Sequence, residues 1–120
     1  MKPKVGLVFA DVKRLALALS GVEESTSYGT PALKVRGKLM VRLKEDECTL
    51  VVRTAWDERE RLLMLSPSVY FLTDHYLAHP WVLVRLERIS NAQMAEILHR
   101  AWRLTAPKSL LKLATTSDGG

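Results

Sequence analysis

Apolar and polar residues alternate in three runs between Pro31 and Thr54, and two turn signals separate the runs. Because successive side chains of a strand point to opposite faces, each run predicts a strand with one apolar face. The apolar face collects Leu33, Val35, Leu39, Val41, Leu43, Leu50 and Val52. The opposite face collects Lys34, Arg36, Arg42, Lys44 and Arg53, with Met40 and Val51 among them. The pattern therefore predicts a sheet with one buried face and one cationic face.

Helical periods and shorter apolar runs flank these strands. The predicted helices are Leu7–Leu19, a segment from about Thr54 to Leu65, and a final helix that a Ser90/Gln93 capping box begins and Pro107 ends. The further predicted strands are Val69–Thr73 and Trp81–Leu86. Helical spacing places Trp56 and Trp102 in the core. Val22–Gly29 has no clear period and is predicted to be an extended loop with at most brief strand pairing, and Tyr28-Gly29 is predicted to be a turn.

The order helix, three strands, helix, two strands, helix predicts an α+β fold. Its expected form is α-β(3)-α-β(2)-α in two layers, an antiparallel sheet with helices on one face. A chain of 120 residues suits one domain, which we expect over residues 1–107. Residues 108–120 are expected to form a partly disordered tail, with a short helical turn at Ser109–Leu113.

Composition narrows the class of protein. One cysteine, Cys48, excludes an internal disulfide. No apolar run approaches the roughly 20 residues of a membrane span, and no signal-peptide pattern is present, so we expect a cytoplasmic protein without a membrane partner. A net charge of +5 favours an anionic partner. We expect no enzyme, cofactor or metal, since no nucleophile with a clear partner and no glycine-rich phosphate loop occur.

Four stretches carry a resemblance to a known family: LALSGVEES, YGTPALKVRGKLMVRL, SPSVYFLTDHYLAHPWVLVRL and AWRLTAP. In this order and spacing the chain resembles the MmcQ/YjbR family of small bacterial proteins. The resemblance implies a secretion-chaperone-like or frataxin-like α+β fold, and a double-wing DNA-binding role suggested for the family. That role falls here on Lys34, Arg36, Lys38, Arg42 and Lys44. The frataxin-like comparison implies iron on an acidic first helix, which the single acid Asp11 of Leu7–Leu19 does not support.

The cationic face is the leading candidate site, with DNA as the expected partner. Its phosphate-contacting residues are predicted to be Lys34, Arg36, Lys38, Arg42, Lys44 and Arg53. Five or six such contacts give a slope of log affinity against log salt of up to about −5. Trp81 shares the face with Leu83 and Arg85, which adds a stacking surface. The competing interpretation is a solvated face whose charges prevent edge aggregation.

Two other hypotheses use neighbouring residues. Met40, Val51, Trp81 and Leu83 would form an exposed apolar patch for a protein partner or a second copy of the chain. The loop Asp74–Pro80 holds a candidate pocket of His75, Tyr76, His79 and Trp81. There Asp74 could orient a histidine base or join both histidines around a metal. The alternative is that these histidines are structural and hydrogen-bond the loop.

Overall fold

The computed structural model describes residues 6–118, with side chains described as far as residue 113. Its elements are α1 (Phe9–Leu17), β1 (Val22–Ser27), β2 (Thr30–Val35), β3 (Lys38–Leu43), β4 (Thr49–Arg53), α2 (Trp56–Leu65), β5 (Tyr70–Phe71), β6 (Trp81–Arg85), α3 (Asn91–Thr105) and α4 (Lys108–Asp118). Short 3₁₀ helices cover Asp74–Tyr76 and Leu86–Arg88. The strands form one antiparallel sheet in the order β1-β2-β3-β4-β6-β5. This confirms the predicted α+β class.

Strand β1 occupies the segment predicted to be an extended loop. It pairs with β2 along six residues, from Val22 opposite Val35 to Ser27 opposite Thr30. The turn between them is Tyr28-Gly29, with φ of 53° and 78°. Two consecutive positive φ values give the turn whose twist matches a hairpin. The sequence predicted a turn at this pair but not the hairpin. The loop prediction was wrong because β1 is a polar edge strand that has little apolar pattern to show.

The predicted faces of Leu39 and Met40 were wrong, because β3 contains a β-bulge. Leu33 pairs with Val41, but the next residue, Lys34, pairs with Leu39, so Met40 is the extra residue. Met40 is 0% exposed and belongs to the core together with Val41, whereas Leu39 faces the other side of the sheet. Strict alternation placed them the opposite way. The extra residue reverses the order of faces at this point of the strand.

The core lies between one face of the sheet and helices α1 and α3. Trp102 is buried there, as predicted, and its indole N–H donates to the Ser20 carbonyl oxygen at 2.7 Å. The capping box of α3 is also confirmed, because the Ser90 hydroxyl accepts from the Gln93 N–H at 3.1 Å. Trp56 was wrongly predicted to be core and is 51% exposed. The inward position on α2 belongs instead to Arg59.

Helix α4 occupies most of the segment predicted to be a partly disordered tail. Leu110 of this helix is buried where its side chain meets Gly21 after α1. Gly119 and Gly120, at the end of that predicted tail, lie outside the described residues. Over residues 6–118, no helix has both the length and the apolar character needed to cross a membrane.

Candidate functional site

We call the side of the sheet that faces away from α1 and α3 the outer face. The strand pairing places a row of side chains across its middle: Ala32, Arg42, Val51, Leu83 and Phe71. The first four of these are buried, although a sheet with an open outer face would expose them. A further segment must therefore cover the middle of the outer face.

That cover is the bridging loop, residues 72–80, which joins edge strand β5 to β6. The hydroxyl of Tyr76 lies 3.5 Å from Nη2 of Arg42 on β3, two strands away from β6. The Tyr76 ring also lies 6.0 Å from the Lys44 ammonium. The bridging loop thus crosses the outer face of β6 and β4 before the chain enters β6.

This crossing removes the predicted apolar patch from the surface. Val51 and Leu83 lie on the outer face but are buried, and the bulge places Met40 in the core. Trp81 alone of the four predicted residues stays partly exposed. The hypothesis of a partner-binding patch built from these four residues is therefore wrong.

A groove of about 540 Å³ remains between the bridging loop and the sheet, and we call it the outer-face groove. Its lining comprises Tyr28, Leu39, Arg42, Glu45, Val51, His75, Tyr76, His79 and Trp81. The structure thus brings all four residues of the predicted pocket together, and adds residues of β3, β4 and the β1–β2 turn. Its volume is in the range of sites that hold small organic ligands.

Arg42 braces one side of this groove. Its guanidinium donates to the Thr30 hydroxyl at 3.0 Å and to the Glu45 carboxylate at 3.4 Å. It also lies 5.3 Å from the centre of the Tyr28 ring. Burial lowers the pKa of Arg42, but its contacts with Tyr76 and Glu45 outweigh burial and leave the pKa above its ordinary value. Arg42 is 8% exposed, so its charge serves the groove rather than an open surface.

The five other predicted cations are accessible. Lys34, Lys44 and Arg53 lie on the outer face on either side of the buried row. Arg53 lies 5.9 Å from the Trp81 ring centre. Arg36 and Lys38 are exposed at the β2–β3 turn, at one end of the sheet. Within residues 6–113 none of these five forms an ion pair, whereas Arg42 pairs with Glu45.

Arg59 of α2 also holds the bridging loop in place. Its Nη1 donates to the carbonyl oxygens of Tyr76, His79 and Trp81 at 3.1, 2.7 and 3.2 Å. Its Nη2 donates to that of Leu77 at 3.0 Å. The guanidinium, in a residue only 5% exposed, lies 4.7 Å from the Trp56 ring. One buried side chain thus holds four backbone oxygens and sets the path of the loop.

The sequence hypotheses missed Arg59 and Tyr28. Arg59 does carry a signal, because it lies on the helical stripe between Trp56 and Leu62, where an apolar residue is expected. A charge at such a position indicates a buried arginine with several acceptors. Tyr28 gave only a turn signal, because its contribution to the groove depends on the pairing of β1 with β2.

His75 and His79 contribute imidazole rings to the groove. His75 packs edge-on against Tyr76, with ring centres 4.8 Å apart, and the His75 and His79 rings are 6.5 Å apart. In the part of the chain with described side chains, no group of three or more His, Cys, Asp or Glu residues could hold a metal ion. The metal hypothesis for Asp74, His75 and His79 thus gains no support.

The family model described as YjbR matches residues 17–104, which is well over half of the chain. The chain belongs to the YjbR family. The matched region contains every residue that lines the outer-face groove and all six predicted cations. The recognised resemblance is therefore confirmed.

The relatives of this YjbR-family chain show a shared fold, and their names state no activity. Two proteins named only as uncharacterized, from Mycobacterium bovis and Mycobacterium tuberculosis, are 38% identical to this chain over 58 residues. This match covers 48% of the chain, and the chain spans slightly less than half, 45%, of the length of each of these curated relatives. The crystal structure of Deinococcus radiodurans protein DR2400, with a DUF419 domain, is 18% identical. Its TM-score is 0.68 over 81% of this chain and 77% of that one, which shows a shared fold.

Proposed function

We propose that this YjbR-family chain binds nucleic acid through its outer face and the adjacent β2–β3 turn. The observation that carries the proposal is the set of five predicted cations without an ion pair in residues 6–113. They are Lys34, Arg36, Lys38, Lys44 and Arg53. On the α-helices, Lys13, Arg14, Arg61 and Arg100 are paired with carboxylates, and the exposed cations Arg103 and Lys108, which have no ion pair within residues 6–113, lie away from this face.

Unpaired cations favour phosphate binding for a physical reason. A phosphate that approaches a paired arginine must displace a carboxylate, whereas here it displaces only water and mobile ions. Each neutralised phosphate then releases counterions, which contributes about −0.9 to the salt slope for a duplex and about −0.7 for a single strand. Five contacts give a total slope of about −3.5 to −4.5. Arg42 is not expected to contribute, because it is buried and paired with Glu45.

The test is fluorescence anisotropy of labelled DNA, as a single strand and as a duplex, at about 50 and 200 mM salt. The face variant K34Q/K44Q/R53Q removes the three outer-face cations. The control variant R88Q/R103Q/K108Q removes three exposed cations that lie outside the strands and do not line the outer-face groove, and it changes the net charge equally. Thermal melting confirms that both variants are folded.

The proposal predicts salt-sensitive binding that the face variant loses and the control variant largely keeps. Equal losses in the two variants would show that binding follows net charge and not this face. Failure of the wild type to bind either form of DNA at the lower salt concentration would refute the proposal outright.

A further inference from the structure

Three aromatic rings in the outer-face groove each have a cation beside them. The Arg42 guanidinium lies 5.3 Å from the Tyr28 ring centre, and the Arg53 guanidinium lies 5.9 Å from that of Trp81. The Lys44 ammonium lies 6.0 Å from the Tyr76 ring centre. Contacts of this kind attract the cation to the ring face and restrain both side chains. The groove therefore combines flat aromatic walls with positive charge.

The remaining lining residues are two apolar ones, Leu39 and Val51, and three polar ones, Glu45, His75 and His79. Leu39 and Val51 supply apolar surface to the lining, and Leu39 is the more exposed of the two. Glu45 is the one carboxylate among the lining residues, and its charge is matched by Arg42 at 3.4 Å. A flat ring with an attached anionic group suits this combination better than an aliphatic or a cationic ligand.

The groove is formed before any ligand arrives. Arg59 holds the carbonyl oxygens of Tyr76, Leu77, His79 and Trp81, so the loop wall has a fixed path over the sheet. A site that is already ordered loses less conformational entropy when it binds.

We infer that the outer-face groove binds a nucleotide, with its base against the aromatic rings and its phosphate near the flanking cations. For a nucleotide within a strand, this inference rests on the proposed function and specifies its substrate as unpaired nucleic acid. Bases in a duplex are stacked and paired, and entering the groove would require their extrusion at a cost in free energy. Free mononucleotides share the same chemistry and are the other source of ligand.

Two ring variants separate the groove from the surrounding charge. Tyr28 is 87% exposed with φ of 53°, so Tyr28→Asn removes the ring and keeps a residue that tolerates this backbone conformation. Trp81→Leu removes the second ring. His99→Leu is the control for removal of a ring, since His99 is exposed on α3 and does not line the groove.

Anisotropy with the labelled single strand and duplex measures the effect. We expect the wild type to bind the single strand more tightly, and each ring variant to weaken single-strand binding by at least about fivefold. Duplex binding by the ring variants, and single-strand binding by the His99→Leu control, should change by less than twofold, a margin of about the assay error. By contrast, K34Q/K44Q/R53Q should weaken both forms and reduce the salt slope.

Free uridine monophosphate is the second arm, followed by NMR of the three tryptophan indole N–H groups. Binding in the groove should shift the Trp81 signal and leave those of Trp56 and Trp102 in place. A Trp81 shift without strand binding would support the groove as a mononucleotide site and refute the proposed function. Salt-sensitive strand binding with the same affinity in the wild type and both ring variants, together with no Trp81 shift, would overturn this inference and leave the proposed function standing. Absence of all binding would overturn both.

Discussion

Replacing Arg59 with methionine removes the side chain that holds the bridging loop against the sheet. Methionine fills similar space on α2 but donates no hydrogen bond. The substitution therefore leaves the carbonyl oxygens of Tyr76, Leu77, His79 and Trp81 without the partner they share.

The loss of stability follows from the exposure of those four groups. Hydrogen bonds to a charged donor contribute about 1.5–3 kcal/mol each. Leu77 and His79 are exposed, so their carbonyl oxygens can turn to water once the guanidinium is gone. Tyr76 and Trp81 are partly buried, so their carbonyl oxygens lose a charged donor that water does not fully replace, and the Tyr76 oxygen keeps only the weaker bond from the His79 N–H at 3.2 Å. Counting these two bonds gives a decrease of about 3–6 kcal/mol in the free energy of unfolding.

Urea denaturation followed by circular dichroism measures this decrease. Domains of this size unfold with about 5–15 kcal/mol, so the midpoint should fall by a large fraction of its wild-type value. Arg61→Met is the matched control, because Arg61 is an exposed neighbour on α2 that pairs only with Glu58. It should leave the midpoint nearly unchanged. Amide exchange should also accelerate in the bridging loop of the Arg59 variant.

A small and equal effect of the two methionine variants would refute this reasoning. It would mean that the loop carbonyl groups find water as readily as they find Arg59, and that contacts of the loop side chains alone keep the groove in shape. Arg59→Lys provides a further check, since a single ammonium cannot reproduce the fork geometry that reaches four oxygens.

Other substitutions test the fold around the site, each by urea denaturation. Met40→Ala should lower the free energy of unfolding by about 2–5 kcal/mol and Leu39→Ala by clearly less, because the bulge buries Met40. A larger loss at Leu39 than at Met40 would support strict alternation. Gly21→Ala should lower the free energy of unfolding more than Gly37→Ala does. Both glycines have positive φ, which disfavours alanine by about 1–2 kcal/mol, but of the two only Gly21 would place a Cβ 2.7 Å from a side chain of α4. Equal losses of stability would contradict that contact. Burial raises the pKa of Asp46, but hydrogen bonds from two backbone N–H groups and a threonine hydroxyl outweigh it and lower the pKa. The stability that this carboxylate provides is therefore present above its unfolded pKa and lost on acidification. The free energy of unfolding of the wild type should exceed that of Asp46→Asn by less and less below about pH 4. A difference that does not change with pH would contradict this.

The sequence was sufficient for elements whose signal is local. The capping box of Ser90 and Gln93 and the stripe that ends in Trp102 were enough to predict α3. Alternation predicted the core-facing side of β4 and β6, because both strands run without interruption through the middle of the sheet. The Tyr28-Gly29 turn was recognised from residue types, although the strand before it was not.

Features that depend on distant contacts escaped prediction. The bulge at Met40 depends on how β3 pairs with β2, and no residue in the run marks it. The bridging loop covers the outer face because Tyr76 meets Arg42 across two strands, and Arg59 holds it from another helix. Sequence patterns gave the members of the site, such as His75, Tyr76 and Lys44, but not the groove that they form. They also could not separate the accessible cations from the buried Arg42.

The salt dependence of single-stranded DNA binding tests the central claim most directly. Affinity is measured by anisotropy between about 50 and 200 mM salt for the wild type, for K34Q/K44Q/R53Q and for R88Q/R103Q/K108Q. If the outer face contacts phosphates through Lys34, Lys44 and Arg53, the face variant should bind more weakly, with a slope less steep by about 2. The control variant should keep a slope close to that of the wild type. Identical slopes for the wild type and the face variant would contradict the account.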